Sequence, residues 1–361
     1  MKKTLLLIPS VAKMESKAEV EADRHPTMDY YALAQVLRER YGLTVDIIDY
    51  AAVQRDQSPG TRLAAKVGGP DAALAWLAFV RRREYDSIFS NGENVGVPLA
   101  LLLGSMPVKT RHVTIGHRLS TGKKQLYFQV LKAQRRLDKI FVYARSQQEW
   151  AVDRLHIEPN KLALIPFHAD ARFYRPMSDV AVNANQICSA GLEWRDYPTL
   201  IEAVRSMPDL SVKLAAASPW SKHEDQTSGR ELPPNVEARR YSYAELRDLY
   251  AASSFVVVPI RETDFQAGVT TILEAMAMGK AVIATRTTGQ TDVIVDGENG
   301  LCVAPGDVAG WQEAIRRLRG DPVLRAKLGM NARRWIEENA TLELWAHRIA
   351  AELSPEPVPP G

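Results

Sequence analysis

The stretch that constrains this chain most runs from Phe255 to Gly279. Phe255-Val256-Val257-Val258 is apolar and rich in β-branched residues, short enough for a buried strand. Beyond a polar connection, Ile272, Leu273, Ala275, Met276 and Ala277 are apolar and helix-tolerant, and Gly279 is a natural stop. Gly268, Val269, Thr270 and Thr271 fall where loop becomes helix. Free backbone N–H groups and the positive end of the helix dipole meet at such a point and favour an anion, above all a phosphate. The two threonine hydroxyls add donors. Glu274 follows about one turn later, where a carboxylate accepts from a sugar hydroxyl. A phosphate cradle beside a carboxylate suggests a nucleotide carrying ribose.

The same alternation of strand and helix fills the rest of the chain. Residues 4–9 read as a buried strand and 10–25 as a long polar connection over a site. Tyr30, Leu33, Ala34, Leu37 and Tyr41 recur at helical spacing up to Gly42, and residues 45–48 complete a βαβ unit. A helix over about 70–83 and strands at 87–89, 108–115, 140–143 and 161–166 continue the first half. Residues 179–185 read as a linker. Strands at 186–190, 212–216, 236–240, 255–258, 280–284 and 293–303 make the second half, with a polar loop over 218–234. Ser242 is expected to cap one helix; Asp307 is expected to cap another, with Trp311, Ala314, Ile315 and Leu318 on one side. Pro355, Pro357, Pro359 and Pro360 mark residues 354–361 as a tail. The fold class is α/β. No G-x-G-x-x-G follows the first strand, which counts against an NAD-type site.

At 361 residues the chain is long for one core, and two domains are expected, residues 1–178 and 179–340. A net charge of +3 makes no case for nucleic acid. Cys188 and Cys302 lie in apolar strand-like runs and read as buried thiols of a reducing, cytoplasmic compartment. No apolar run approaches about 18 residues, so no membrane span is expected. Met1-Lys2-Lys3 before Leu5-Leu6-Leu7-Ile8 imitates a signal peptide, but the apolar part is too short.

Polar groups gather beyond the carboxyl ends of strands, where open α/β sheets bind ligands. Asn91 and Glu93 follow the strand at 87–89 and are candidates for acceptor contact, or else form a turn and helix cap. His117 follows the strand at 108–115. Arg195, in the loop 191–196, either clamps phosphate oxygens bidentately or pairs with Asp196 or Glu193 at the surface. Residues 111–139 hold eight Lys and Arg against the single acid Asp138. Lys132, Arg135, Arg136 and Lys139 share one face of an expected helix. That face is either simply solvated or a patch for an anionic membrane or a phosphorylated acceptor.

Residues 259–279, P-I-R-E-T-D-F-Q-A-G-V-T-T-I-L-E-A-M-A-M-G, resemble the donor-site signature of the retaining GT-B glycosyltransferases of family 4. Glu274-Ala275-Met276-Ala277-Met278-Gly279 matches the second half of that signature. Gln266 stands where the family has its first Glu, and Gly268-Val269 shifts the glycine pattern by one. Arg195-Asp196-Tyr197-Pro198-Thr199-Leu200 resembles the family's diphosphate loop, with Arg195 at the Lys position and Leu192 at the Arg position. The resemblance implies two Rossmann-like domains with parallel sheets facing a cleft, the donor in the second and the acceptor in the first. It implies that the helix at about 341–353 packs back on the first domain.

By the same resemblance Glu274 takes the ribose, Gln266 the donor sugar and Arg195 the diphosphate. Gly268, Val269, Thr270 and Thr271 form the phosphate cradle, Arg239 and Tyr241 stand near the base, and His117 faces the acceptor. The expected activity is retaining transfer from a nucleotide diphosphate sugar, with UDP as the expected nucleotide. The leaving phosphate would take the acceptor proton. Without a D-x-D, no metal or cofactor is expected. A non-catalytic sugar-nucleotide binder and a GT-B nucleotide-sugar epimerase stay open as alternatives. The donor sugar, the acceptor, the linkage and the oligomeric state are not legible in the sequence.

Overall fold

A computed structural model describes residues 2–12, 16–106, 110–120, 122–216 and 232–354. The Pro-rich tail and nearly all of the 218–234 loop lie outside the described residues. The chain divides into two compact units. The first comprises residues 1–16, 28–166 and 343–361; the second comprises 17–27 and 167–342.

In the first unit β1 (Lys3–Ile8), β2 (Thr44–Asp49), β3 (Ser87–Ser90), β4 (Arg111–Gly116), β5 (Lys139–Val142) and β6 (Leu162–Leu164) form one sheet in the order β2-β1-β3-β4-β5-β6. Every pairing is parallel. Leu5, Leu6 and Leu7 are all fully buried, as a strand covered on both faces requires. Leu5 and Leu7 pack with Leu74, Ala75 and Ala78 of the helix Pro59–Arg81. The helix Leu342–Leu353 belongs to this unit for all but its first residue; Trp345 lies edge-on to Phe89, and Glu352 pairs with Arg111 at 2.7 Å.

In the second unit β7 (Asn183–Ala190), β8 (Ser211–Ala215), β9 (Val236–Arg239), β10 (Ser253–Val258), β11 (Val282–Thr285) and β12 (Leu301–Val303) form a sheet ordered β12-β11-β10-β7-β8-β9, again parallel throughout. Two doubly wound α/β sheets are thus present. The strand order of the second reverses between β7 and β10.

Several local expectations need correction. The connection 10–25 contains a short helix, Ser16–Glu21, and residues 17–27 group with the second unit. The helix expected over 70–83 begins at Pro59 and breaks at Gly69, whose φ of 73° precedes Pro70. A proline removes the N–H that an unbroken helix needs, so the two halves meet at an angle. By length and composition alone, residues 59–84 could cross a membrane. Thr61, Ala73, Leu74, Ala75, Ala78 and Phe79 of this helix are buried in the unit.

The helix expected to align Lys132, Arg135, Arg136 and Lys139 does not exist. Lys132 adopts a left-handed φ of 54°, Ala133–Arg136 forms a short 3-10 turn, and Lys139 opens β5. Burial of Ala133 and Leu137 outweighs the charge periodicity. Lys139 pairs with Glu352 at 3.2 Å, so the exposed basic group reduces to Lys132, Arg135 and Arg136. The 293–303 segment contributes only Leu301–Val303 to the sheet.

Candidate functional site

In an open α/β sheet ligands gather where the strand order reverses, beyond the strand carboxyl ends. In the second unit that place is the pair β7 and β10. The loop after β7 carries residues 191–196, and the loop after β10 runs into the helix Val269–Ala277. Together they line a cavity of about 610 Å³. Arg195, Gln266, Gly268, Val269, Thr270, Thr271, Glu274 and Tyr241 all lie on its wall.

Arg195 is the centre of the arrangement. It is only 4% exposed. Its Nε donates to the Ala190 carbonyl at 2.8 Å, Nη1 to the Glu193 carbonyl at 3.1 Å and Nη2 to Thr271 Oγ1 at 3.0 Å. Two glycines make room for it. A Cβ at Gly191, where φ is +95°, would come within 2.4 Å of Nη2. A Cβ at Gly268, where φ is +74°, would come within 3.0 Å of Nη1. Burial draws the Arg195 guanidinium below the ordinary arginine range, while Tyr197, Tyr250 and Glu274 oppose that shift. Among the described residues no carboxylate forms an ion pair with it. A buried cation held only by neutral acceptors is costly unless an anion arrives to pair with it. Surface pairing with Asp196 or Glu193 is not what the structure shows: Asp196 caps the helix Tyr197–Arg205, and Glu193 offers its carbonyl.

The helix start adds donors of the kind that suit an anion. Gly268 takes the cap position with no side-chain hydrogen bond to the first turn. Its left-handed φ of 74° is one that glycine adopts without strain. The Val269 amide donates to the Gln266 carbonyl at 3.4 Å, and the Thr270 and Thr271 amides that follow, the Thr270 hydroxyl and Arg195 lie on one wall.

Glu274, at the inner edge of the same wall, accepts from the Tyr250 hydroxyl at 2.9 Å. Burial pushes its carboxyl up to about 7, against the Tyr250 and Tyr174 hydroxyls and Arg195, which favour the ionised form. Gln266 leaves Oε1 buried without a partner. Tyr241 lines the cavity, whereas Arg239 stacks on the Tyr241 ring at 3.7 Å and pairs with Glu245.

Sequence reasoning missed part of this wall. Trp194 meets Phe265 edge-on at 5.5 Å, and Phe167, Tyr243 and Leu246 close other sides. His25 lies edge-on to Tyr243 at 4.3 Å, and Asp23 pairs with Arg175 and Arg247. Gly191 directly after a strand is a signal that could have been read. Tyr174 and Tyr250 sit on distant elements and carry none.

In the first unit Asn91, Glu93 and His117 come together beyond β3 and β4. Glu93 is buried; its carboxylate accepts from the His117 amide at 2.8 Å and the Arg118 amide at 3.2 Å, and pairs closely with Lys124. Burial works against the ionised Glu93, but His117 and Lys124 outweigh it and hold its pKa below the ordinary value. Glu93 therefore fixes the 116–118 loop. Asn91 Nδ2 donates to Asp29 at 3.0 Å. The His117 ring lies 5.4 Å from Tyr143. Desolvation draws the His117 pKa below the ordinary value, against Glu93 and Asp29, which raise it.

In the second unit a doubly wound sheet carries a caged arginine and an open helix start at its switch point, an arrangement whose chemistry suits an anionic ligand. Residues 187–321, which hold that unit's sheet and cavity loops, match the family described as glycosyl transferases group 1. This segment is a group 1 glycosyltransferase domain. Over 96% of its length the chain is 25% identical to a D-inositol 3-phosphate glycosyltransferase of Corynebacterium glutamicum, covering 89% of that protein. It is 35% identical over 135 residues, 37% of each chain, to an uncharacterized glycosyltransferase of Methanocaldococcus jannaschii.

Among solved structures it resembles sucrose-phosphate synthase from Thermosynechococcus elongatus, with a TM-score of 0.71, 18% identity and 97% of both chains covered. It also resembles HepE of Anabaena in complex with UDP and glucose, with a TM-score of 0.72, 18% identity, and 99% of this chain and 100% of that one covered. The fold is GT-B, and the protein is a glycosyltransferase of the group 1 type.

Proposed function

We propose that this glycosyltransferase moves a hexose from a UDP-sugar to an acceptor with retention at the anomeric carbon and without a metal ion. The observation that carries the reading is Arg195, a buried cation with neutral partners, set against an uncapped helix start. As the sugar–phosphate bond breaks, charge develops on the leaving diphosphate. Arg195, the Thr270 hydroxyl and the first-turn amides stabilise it in place, and preorganised donors of this kind need no rearrangement at the moment of reaction.

Glu274 accepts from a ribose hydroxyl in its ionised form, to which Tyr250 already donates. Gln266 supplies the unpartnered Oε1 to a sugar hydroxyl. Tyr241 and Tyr243 bound the base. The leaving phosphate takes the acceptor proton, and His117 orients the acceptor. That HepE binds UDP and UDP-glucose supports the choice of nucleotide. We place the enzyme in the cytoplasm, with Lys132, Arg135 and Arg136 turned to an anionic membrane. A second reading, a sugar-nucleotide binder without turnover, draws on Gln266, which is neutral where the resemblance expects an acid.

The test is UDP release from UDP-hexoses with and without acceptors, on the parent, Arg195→Ala and Glu274→Ala. Each substitution should lower turnover at least about tenfold while the fold survives. Normal turnover in Arg195→Ala would end the mechanism. Tight UDP binding with neither hydrolysis nor transfer in the parent would favour the binder.

A further inference from the structure

Loop 259–268 joins β10 to the helix Val269–Ala277 and brings Phe265, Gln266, Ala267 and Gly268 onto the wall of the Arg195 cavity. The chain on either side grips this loop. On one side the Asp196 amide donates to the Pro259 carbonyl at 3.1 Å, and the Arg261 amide donates to the Trp194 carbonyl at 3.0 Å. On the other side the chain leaving β11 runs along it. The Ile260 amide donates to Thr285 Oγ1 at 2.9 Å, the Thr288 amide to the Glu262 carboxylate at 3.0 Å and the Gly289 amide to the Thr263 carbonyl at 2.9 Å.

At Gly289 the two segments meet with no side chain between them. A Cβ there would lie 2.3 Å from the Phe265 backbone nitrogen and 2.4 Å from its carbonyl carbon. Backbone atoms cannot swing aside as the tip of a side chain can. Beside this contact sits Gln290, only 5% exposed. Its Nε2 donates to the Ala267 carbonyl at 3.1 Å, and its Oε1 is buried without a partner. Turned over, the amide would set oxygen against oxygen, so this one hydrogen bond fixes its orientation.

Space-filling does not account for the amide. A leucine would occupy much the same volume without burying an unpaired oxygen, whose desolvation opposes folding. What the amide provides is one directed bond to the peptide between Gln266 and Gly268. Gln290 stands behind the cavity wall rather than on it, so it reaches the site only through Ala267.

We propose that Gln290 is a positioning residue of the donor site. By holding the Ala267 carbonyl it fixes the turn 265–268 and so aims the Gln266 amide at the donor sugar. The proposal rests on the reading of the cavity given above and adds to it a residue that touches no ligand. The sugar end of the site depends on this hydrogen bond; the diphosphate end, held by Arg195 and the Thr270 hydroxyl, does not.

The test compares Gln290→Leu, Gln290→Asn and Thr287→Val with the parent. Leucine removes the donor with little change of volume, and asparagine keeps the amide but draws it back by one methylene. Thr287→Val deletes a nearby buried hydroxyl that also lacks a partner and serves as the control. Thermal melts establish that each variant folds, and either Gln290 variant suffices. Amide exchange over residues 261–269, read by mass spectrometry, should run at least about tenfold faster in the Gln290 variants and at the parental rate in Thr287→Val. By calorimetry, UDP affinity should stay within about threefold of the parent while UDP-glucose affinity falls roughly tenfold. In a Gln266→Ala background Gln290→Leu should cost nothing further in UDP-glucose affinity, as two residues acting as one unit require.

Parental exchange in the folded Gln290 variants, an equal fall in UDP and UDP-glucose affinity, or full additivity with Gln266→Ala would each overturn the proposal. Failure of the parent to bind either UDP or UDP-glucose would sink the donor reading of the cavity itself. The exchange rates carry no ligand, so the two failures are told apart.

Discussion

Gly191→Ala is the sharpest probe of the caged arginine. At φ +95° the new methyl would lie 2.4 Å from Arg195 Nη2 and 2.9 Å from Cζ. The guanidinium must retreat by about 1 Å to restore ordinary contact, and a misplacement of about 1 Å in a catalytic group costs on the order of 100-fold in rate. The left-handed backbone adds a stability cost of roughly 1–2 kcal/mol.

Gly306→Ala separates the two effects. Gly306 has φ +71°, and a Cβ there would meet nothing within 4 Å, so the substitution brings the backbone strain without the collision. Both variants should melt lower by a similar amount. Only Gly191→Ala should lose about 100-fold in UDP release from a UDP-hexose, together with weaker UDP binding by calorimetry. A Gly191→Ala enzyme within about threefold of the parent would refute the claim that the position of Arg195 governs the chemistry. An equal loss in Gly306→Ala would refute it too.

Glu274 sets a pH dependence of stability. Its folded pKa, about 7, lies above the ordinary glutamate value. As pH rises from the ordinary value to about 7, the unfolded chain releases this proton and the folded protein keeps it, so stability falls across that window. Glu274→Gln should flatten the decline in melting temperature between those limits; an unchanged slope would show that the buried carboxyl is not responsible. Lys124→Met removes the cation paired with buried Glu93, which should cost roughly 3–5 kcal/mol in urea unfolding. A loss below about 1 kcal/mol would mean that the pair behaves as a surface bridge.

The elements of both sheets were legible in the sequence because a parallel strand covered on both faces is apolar along its whole length. Leu5-Leu6-Leu7 and Phe255-Val256-Val257-Val258 show this directly. Helix starts marked by local chemistry were legible as well: Ser242 closes a capping box with Glu245, and Asp307 caps the helix Val308–Gly320. The loop-to-helix step at Gly268 and the carboxylate one turn later follow from residue order alone. So does the placement of Arg195 after a strand.

Charge periodicity misled at Lys132–Lys139, because a regular spacing of cations does not bend the backbone and the burial of Ala133 and Leu137 does. Tertiary structure alone decided that Arg195 is buried between two glycines, that Tyr250 reaches Glu274, and that Glu93 holds the His117 loop rather than standing open. Apart from Gly191 against Arg195, those contacts join residues far apart in the chain. Local pattern records which face a residue presents, and only packing determines what that face meets.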